Sequence, residues 1–180
     1  MAQKKKGKKN STELSKQNIG NAGEYYIAFQ LSLHNFITTI TLGRAEKFDI
    51  LTLSPSNQHV KLSIKTTQRT DSISFPLSKK DELGASDDFF YAFVKFREEN
   101  DPDWWIIPSK RVNAVLQNAS EIYFNTMTQK DGSKHNDKGI RRLDFVPGGK
   151  RGKSKRLEMY DQDWVKELES YYKNIKQLLE

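Results

Sequence analysis

The chain has 180 residues, a mean hydropathy of −0.78, 36% hydrophobic and 11% aromatic residues, and a formal net charge of +7. The aromatic content excludes a wholly disordered chain, and the length suits one domain with a real core. The absence of cysteine excludes disulfides and thiolate metal sites, and no run of residues is long and apolar enough for a membrane span.

From the N-terminus, the lysine-rich start is followed by polar residues rather than an apolar core, so no signal peptide is expected and a cytoplasmic protein is. Asn18 can cap a helix over NIGNAGEYYIAFQLSLHN that is apolar on nearly all sides between Tyr25 and Leu33, which predicts deep burial, Tyr25 and Tyr26 included. FITTITL (36–42) reads as a strand. FDILTL and VKLSIKT follow, joined by the turn-rich SPSNQH, and predict a hairpin. SISFPLSKKDE fits no single class. FFYAFVKF (89–96) and DWWIIP (103–108) read as strands, with at least one of Trp104 and Trp105 facing a core; Asp87 and Asp88 lie in the charged turn ahead of the first. Ser109 can cap a short helix, KRVNAVLQ, and Asp161 a closing helix over DQDWVKELESYYKNIKQLLE.

The positive charge is concentrated. Residues 1–16 carry six lysines against Glu13, and residues 130–156 carry ten basic residues against three aspartates, so the rest of the chain is slightly acidic. This predicts a basic, flexible N-terminal tail (1–16) on a single domain (17–180) with a basic loop at 130–156. Such segments suit a polyanion, because each lysine or arginine on a phosphate releases counterions. Lys4, Lys5, Lys6, Lys8, Lys9, Arg141, Arg142, Lys150, Arg151, Lys153, Lys155 and Arg156 are the candidate contacts, with Lys61 and Arg69 as further ones; the alternative is that they are solubilising charges.

Along VKLSIKT, Ser63 and Lys65 share a face opposite to Leu62 and Ile64. Folding the hairpin symmetrically about Asn57 sets Asp49 against Lys65, and Glu24 adds a second acid on the preceding helix. Either these charges look outward, or they form a site. Two carboxylates and an ammonium suit Mg²⁺-assisted phosphodiester hydrolysis, whereas His34, His59 and His135 are too scattered in sequence to suggest a metal cluster.

The order of a helix carrying Glu24 (GNAGEYYIAFQLS), a strand, Asp49 in KFDIL, and Ser63, Ile64 and Lys65 in VKLSIKTT resembles the PD-(D/E)XK nuclease superfamily over residues 18–117. The resemblance implies an α/β, restriction endonuclease-like fold, a mixed β-sheet flanked by α-helices. It implies a metal-dependent DNA endonuclease, possibly dimeric, using Mg²⁺ or Mn²⁺. In that scheme Asp49 and Glu24 bind metal, Ile64 lends its backbone carbonyl, and Lys65 is the catalytic lysine. The chain departs from the pattern at Ser63, where the superfamily usually has an acid. A non-catalytic DNA- or RNA-binding module that retains the fold is the alternative, and a structure-selective nuclease on branched DNA or RNA is a third reading.

Overall fold

The computed structural model describes residues 15–41, 48–68, 73–97, 101–145, 159–160 and 162–179. Its elements are α1 (Lys16–Leu33), β1 (Ile37–Ile40), β2 (Ile50–Leu53), β3 (His59–Thr67), β4 (Ser74–Ser78), α2 (Lys79–Leu83), β5 (Phe89–Lys95), β6 (Asp103–Pro108), α3 (Ser109–Asn125), β7 (Ile140–Asp144) and α4 (Gln162–Tyr171). Five strands form one sheet in the order β1-β2-β3-β5-β6, and β4 and β7 pair as a separate antiparallel ribbon. Only β3 and β5 run parallel within the large sheet, so it is mixed, as expected.

Alternation along β5 separates two cores, one on each face of the sheet. Tyr91 and Phe93 join Trp105, Phe75, Leu116, Phe145 and Trp164 beneath the β4–β7 ribbon, α3 and α4. Ala92 and Val94 point the other way, toward Ile27 and Leu31 of α1, Leu62, Trp104 and Ile106. Both tryptophans of DWWIIP are therefore buried, on opposite faces.

α1 begins just under one turn earlier than expected: Ser15, not Asn18, is its cap, and the Ser15 hydroxyl accepts from the Asn18 N–H at 3.1 Å. Its buried row is Ile19, Gly23, Ile27 and Leu31. At Gly23 the helix backbone comes so close to β3 that a Cβ would fall 2.0 Å from Thr66 Oγ1. The expected all-round burial fails. Tyr25, Phe29 and Leu33 are exposed, because α1 has the sheet on one side only.

Other departures have local causes. SISFPLSKKDE divides into β4 and α2, with Ser78 and Asp81 forming a capping box. α3 runs on to Asn125 because Ala119 and Ser120 continue its buried face. The closing helix stops at Tyr171, since Lys173 turns to a φ of 47° and gives its N–H to Trp104 O at the edge of β6. Arg141 and Arg142 lie on β7 rather than in a loop.

Candidate active site

The β2–β3 hairpin turns through Pro55, Ser56 and Asn57, with Asn57 in the left-handed region at φ 62° and the Ser54 N–H bonded to Gln58 O. A three-residue loop ending in a left-handed residue centres the register on Ser56. The observed pairs, Leu53 with His59 through Ile50 with Leu62, follow from it. Carried one residue further, this register sets Asp49 against Ser63, not against Lys65 as folding about Asn57 predicts. The displacement spans two residues of β3, so the strand's alternation leaves Asp49 and Lys65 on the same face.

At Asp49 the two strands part. The Asp49 N–H still reaches Leu62 O at 2.8 Å, but the next donor on β3, Ile64 N–H, is taken by the Asp49 side chain, with Oδ2 accepting at 2.5 Å. Ser63 Oγ donates to the same oxygen at 3.3 Å. Because a strand residue presents its N–H and C=O to the same neighbour, the Ile64 carbonyl faces the gap that β2 leaves open. Oδ1 of Asp49 has no hydrogen-bond partner among the described residues.

Glu24 comes to this gap from α1, one residue after the close approach at Gly23. Burial raises its carboxyl above the ordinary value, and the negative charge of Asp49 raises it further. Glu24 makes no hydrogen bond or ion pair among the described residues. Two carboxylates and a backbone carbonyl are hard-oxygen donors of the kind that suit Mg²⁺ or Mn²⁺. No cluster of three or more His, Cys, Asp or Glu residues suited to a metal occurs among the described residues, so a cation here would complete its shell with water or substrate oxygens.

Lys65 Nζ lies 3.5 Å from Asp81 Oδ1 and 5.8 Å from the centre of the Tyr91 ring. Its ion-pair partner is thus Asp81, not Asp49. Asp81 is itself fixed: Oδ2 accepts from Ser78 N–H at 2.8 Å and Ser78 Oγ at 2.7 Å, and Oδ1 from the Tyr91 hydroxyl at 3.0 Å. Burial pushes the Asp81 carboxyl up, but Lys65, Ser78 and Tyr91 together outweigh it and hold the group below its ordinary value. Sequence reasoning missed Asp81. The signal was present, since Ser78-Lys-Lys-Asp81 is a capping-box pattern that would have placed a helix start there.

The expected phosphate contacts divide. Arg142 is exposed on β7. Arg141 is 6% exposed, its guanidinium bonded to Glu82 at 2.6 Å and Asp137 at 2.8 Å, which corrects its assignment to a nucleic-acid surface. Lys61 pairs with Asp88 at 2.6 Å, and Asp87 pairs with Lys110. Lys4, Lys5, Lys6, Lys8, Lys9, Arg69, Lys150, Arg151, Lys153, Lys155 and Arg156 lie outside the described residues. No helix among the described residues is long and apolar enough to cross a membrane.

No protein-family model and no curated protein matches the chain. Among solved structures, it is similar to a bacterial homing endonuclease, I-Ssp6803I, at 13% identity and a TM-score of 0.44, covering 87% of this chain and 94% of that one. It is also similar to Hjc, a Holliday junction resolvase of Archaeoglobus fulgidus, at 11% identity and a TM-score of 0.41, covering 69% and 83%.

Proposed function

We propose that the chain is a divalent-metal-dependent endonuclease that hydrolyses DNA phosphodiester bonds, with a restriction endonuclease-like site. The observation that carries the reading is the parting of β2 and β3 at Asp49, where Glu24 approaches closely enough for its carboxyl to be raised by Asp49 and where Lys65 shares the face. Glu24, Asp49 and the Ile64 carbonyl would hold the cation. Bound Mg²⁺ would polarise a phosphoryl oxygen and acidify water. Asp49 is fixed by Ile64 and Ser63, which keeps one oxygen in place and the other free. Lys65, steadied by Asp81, offers an ammonium to the attacking water and to charge growing on phosphorus. Arg142 and the basic segments bind backbone phosphates and carry no sequence preference.

Purified protein with supercoiled plasmid and Mg²⁺ or Mn²⁺ is expected to give nicked and linear products. Lys65→Ala and Asp49→Asn should lower the rate by at least about 100-fold while DNA binding persists. Asn is preferred to Ala at 49 because its amide oxygen can still accept the Ile64 N–H. One observation favours a second reading, a DNA- or RNA-binding module without catalysis: Ser63 brings no charge to the position opposite Asp49. Tight binding with no cutting of duplex, branched or RNA substrates in either metal would establish that reading instead.

A further inference from the structure

A cavity of about 310 Å³ lies between α3 and β7, and neither Glu24, Asp49, Ser63 nor Lys65 lines it. Its volume is at the small end of sites for one small ligand. Ile140, Arg141 and Arg142 all line it. Three consecutive residues can do so at the edge of a strand, whereas one face presents only every second side chain. β7 pairs with β4 alone among the described residues, which leaves its other edge free. The ladder decides which groups point there. Phe145 N–H bonds to Ile73 O and Gly139 O accepts from Lys79 N–H, so the odd-numbered residues bond toward β4. Ile140, Arg142 and Asp144 therefore turn their N–H and C=O outward. The Tyr160 hydroxyl takes one stretch of this edge, accepting from Asp144 N–H at 3.1 Å and donating to Arg142 O at 2.8 Å. The Ile140 carbonyl and the Arg142 N–H remain. That N–H has no partner among the described residues, and Ile140 O accepts only from Arg141 Nη1 at 3.1 Å, which leaves it a lone pair.

We infer that this edge binds the base of an adenine or cytosine nucleotide. Those two bases set an exocyclic amino donor beside a ring-nitrogen acceptor, the complement of a carbonyl and an N–H two residues apart on one strand edge. Guanine, thymine and uracil present a carbonyl beside an N–H, the reverse order at this spacing. Ser120 also lines the cavity; it is 8% exposed, and its hydroxyl has no hydrogen-bond partner among the described residues, a deficit that a ligand would make good. Tyr123 and Phe124 give the wall aromatic rings, the first held by a stack on His135 with 4.1 Å between centroids. Bases pack well against such rings. Lys138 and Arg142 line the cavity without an ion pair among the described residues, Asp144 is its one carboxylate, and Arg141 is offset by Glu82 and Asp137. The balance suits a single phosphate. An extended peptide would use the same edge, but Tyr160 limits the open run to one carbonyl and one N–H, the reach of a base rather than of an added strand. A free nucleotide and a nucleotide extruded from a bound strand share this chemistry.

Isothermal titration of the full chain in EDTA should show AMP or CMP binding at least about 10-fold more tightly than GMP and UMP. Proline is tolerated at the free edge of a strand, so Arg142→Pro removes the N–H and should abolish the preference, whereas Arg142→Ala keeps the N–H and should weaken all four nucleotides while preserving it. Ser120→Val should weaken AMP by about 10-fold without relying on a backbone change. Fluorescence anisotropy in EDTA separates the sources. A duplex with one unpaired adenine that binds at least about 10-fold more tightly than one with an unpaired thymine marks the strand as the source; mononucleotide binding without that difference marks the free nucleotide. Equal binding of all four nucleotides would overturn the inference, as would a preference that Arg142→Pro and Ser120→Val both leave intact. So would the absence of both mononucleotide binding and any unpaired-base preference, which would leave the edge to a short peptide. EDTA removes metal-dependent cutting, so these measurements succeed or fail separately from the nuclease reading.

Discussion

Lys65 depends on a carboxylate that is neither of the two candidate metal ligands. Asp81→Asn removes its ion pair but leaves the side chain's shape and one acceptor for Ser78. A misplaced catalytic group costs rate rather than affinity, so single-turnover cleavage should slow by roughly 10- to 100-fold with DNA binding unchanged. A quench-flow assay at saturating DNA checks this; loss of binding would mark Asp81 as merely structural. Glu24 behaves in the opposite sense. Its carboxyl is raised, so the folded protein holds that proton to higher pH than the unfolded chain does. Without metal, stability therefore falls as pH climbs from the ordinary carboxylate range through the raised value. Glu24→Gln should raise Tm at pH 7 by about 1–3 °C in thermal melts, corresponding to less than ~1 kcal/mol after solvent screening, and abolish any further gain from Mg²⁺. The types of these residues were legible in the sequence, and so was the shared face of Asp49 and Lys65. The partner of Lys65 was not, because Asp81 arrives from a segment whose strand-to-helix change alternation alone does not reveal.

The helix α1 fixes the height of Glu24 over the sheet through its neighbour Gly23. Gly23→Ala gains about 1 kcal/mol of helix propensity but forces a methyl into Thr66, where overpacking costs about 1–3 kcal/mol. The clash prevails, and the variant should lose up to about 2 kcal/mol in urea titrations. Adding Thr66→Ala should recover most of it, since Thr66 Oγ1 is buried without a partner and contributes little where it is. Strands were read well from the sequence, since β-branched and aromatic runs such as FFYAFVK and DWWIIP have few other uses. The hairpin register was not, because it turns on which of two turn residues takes the left-handed conformation. The outer face of α1 misled for a related reason: an apolar helix surface looks the same in sequence whether it is covered by a sheet or left exposed.

For the whole molecule, the segregated charge sets how binding should respond to salt. Removing residues 1–14, which leaves the Ser15 cap in place, deletes five lysines and should lessen the slope of log affinity against log salt by up to about 0.9 per lost phosphate contact. Fluorescence anisotropy with labelled duplex measures it, and an unchanged slope would assign those lysines to solubility alone. That the chain is basic at both places was plain from composition; that Arg141 is consumed inside the domain depended on Glu82 and Asp137 coming close in space. The large sheet divides the molecule into two cores, and the proposed chemistry draws on both: Glu24 comes with the layer of α1, while Lys65 takes its anchor from α2 on the other side. A chain emerging from synthesis with one layer still unpacked would thus hold only part of the proposed site. Hydrolytic competence would be a late product of folding, and half-finished copies would be harmless to the nucleic acid around them.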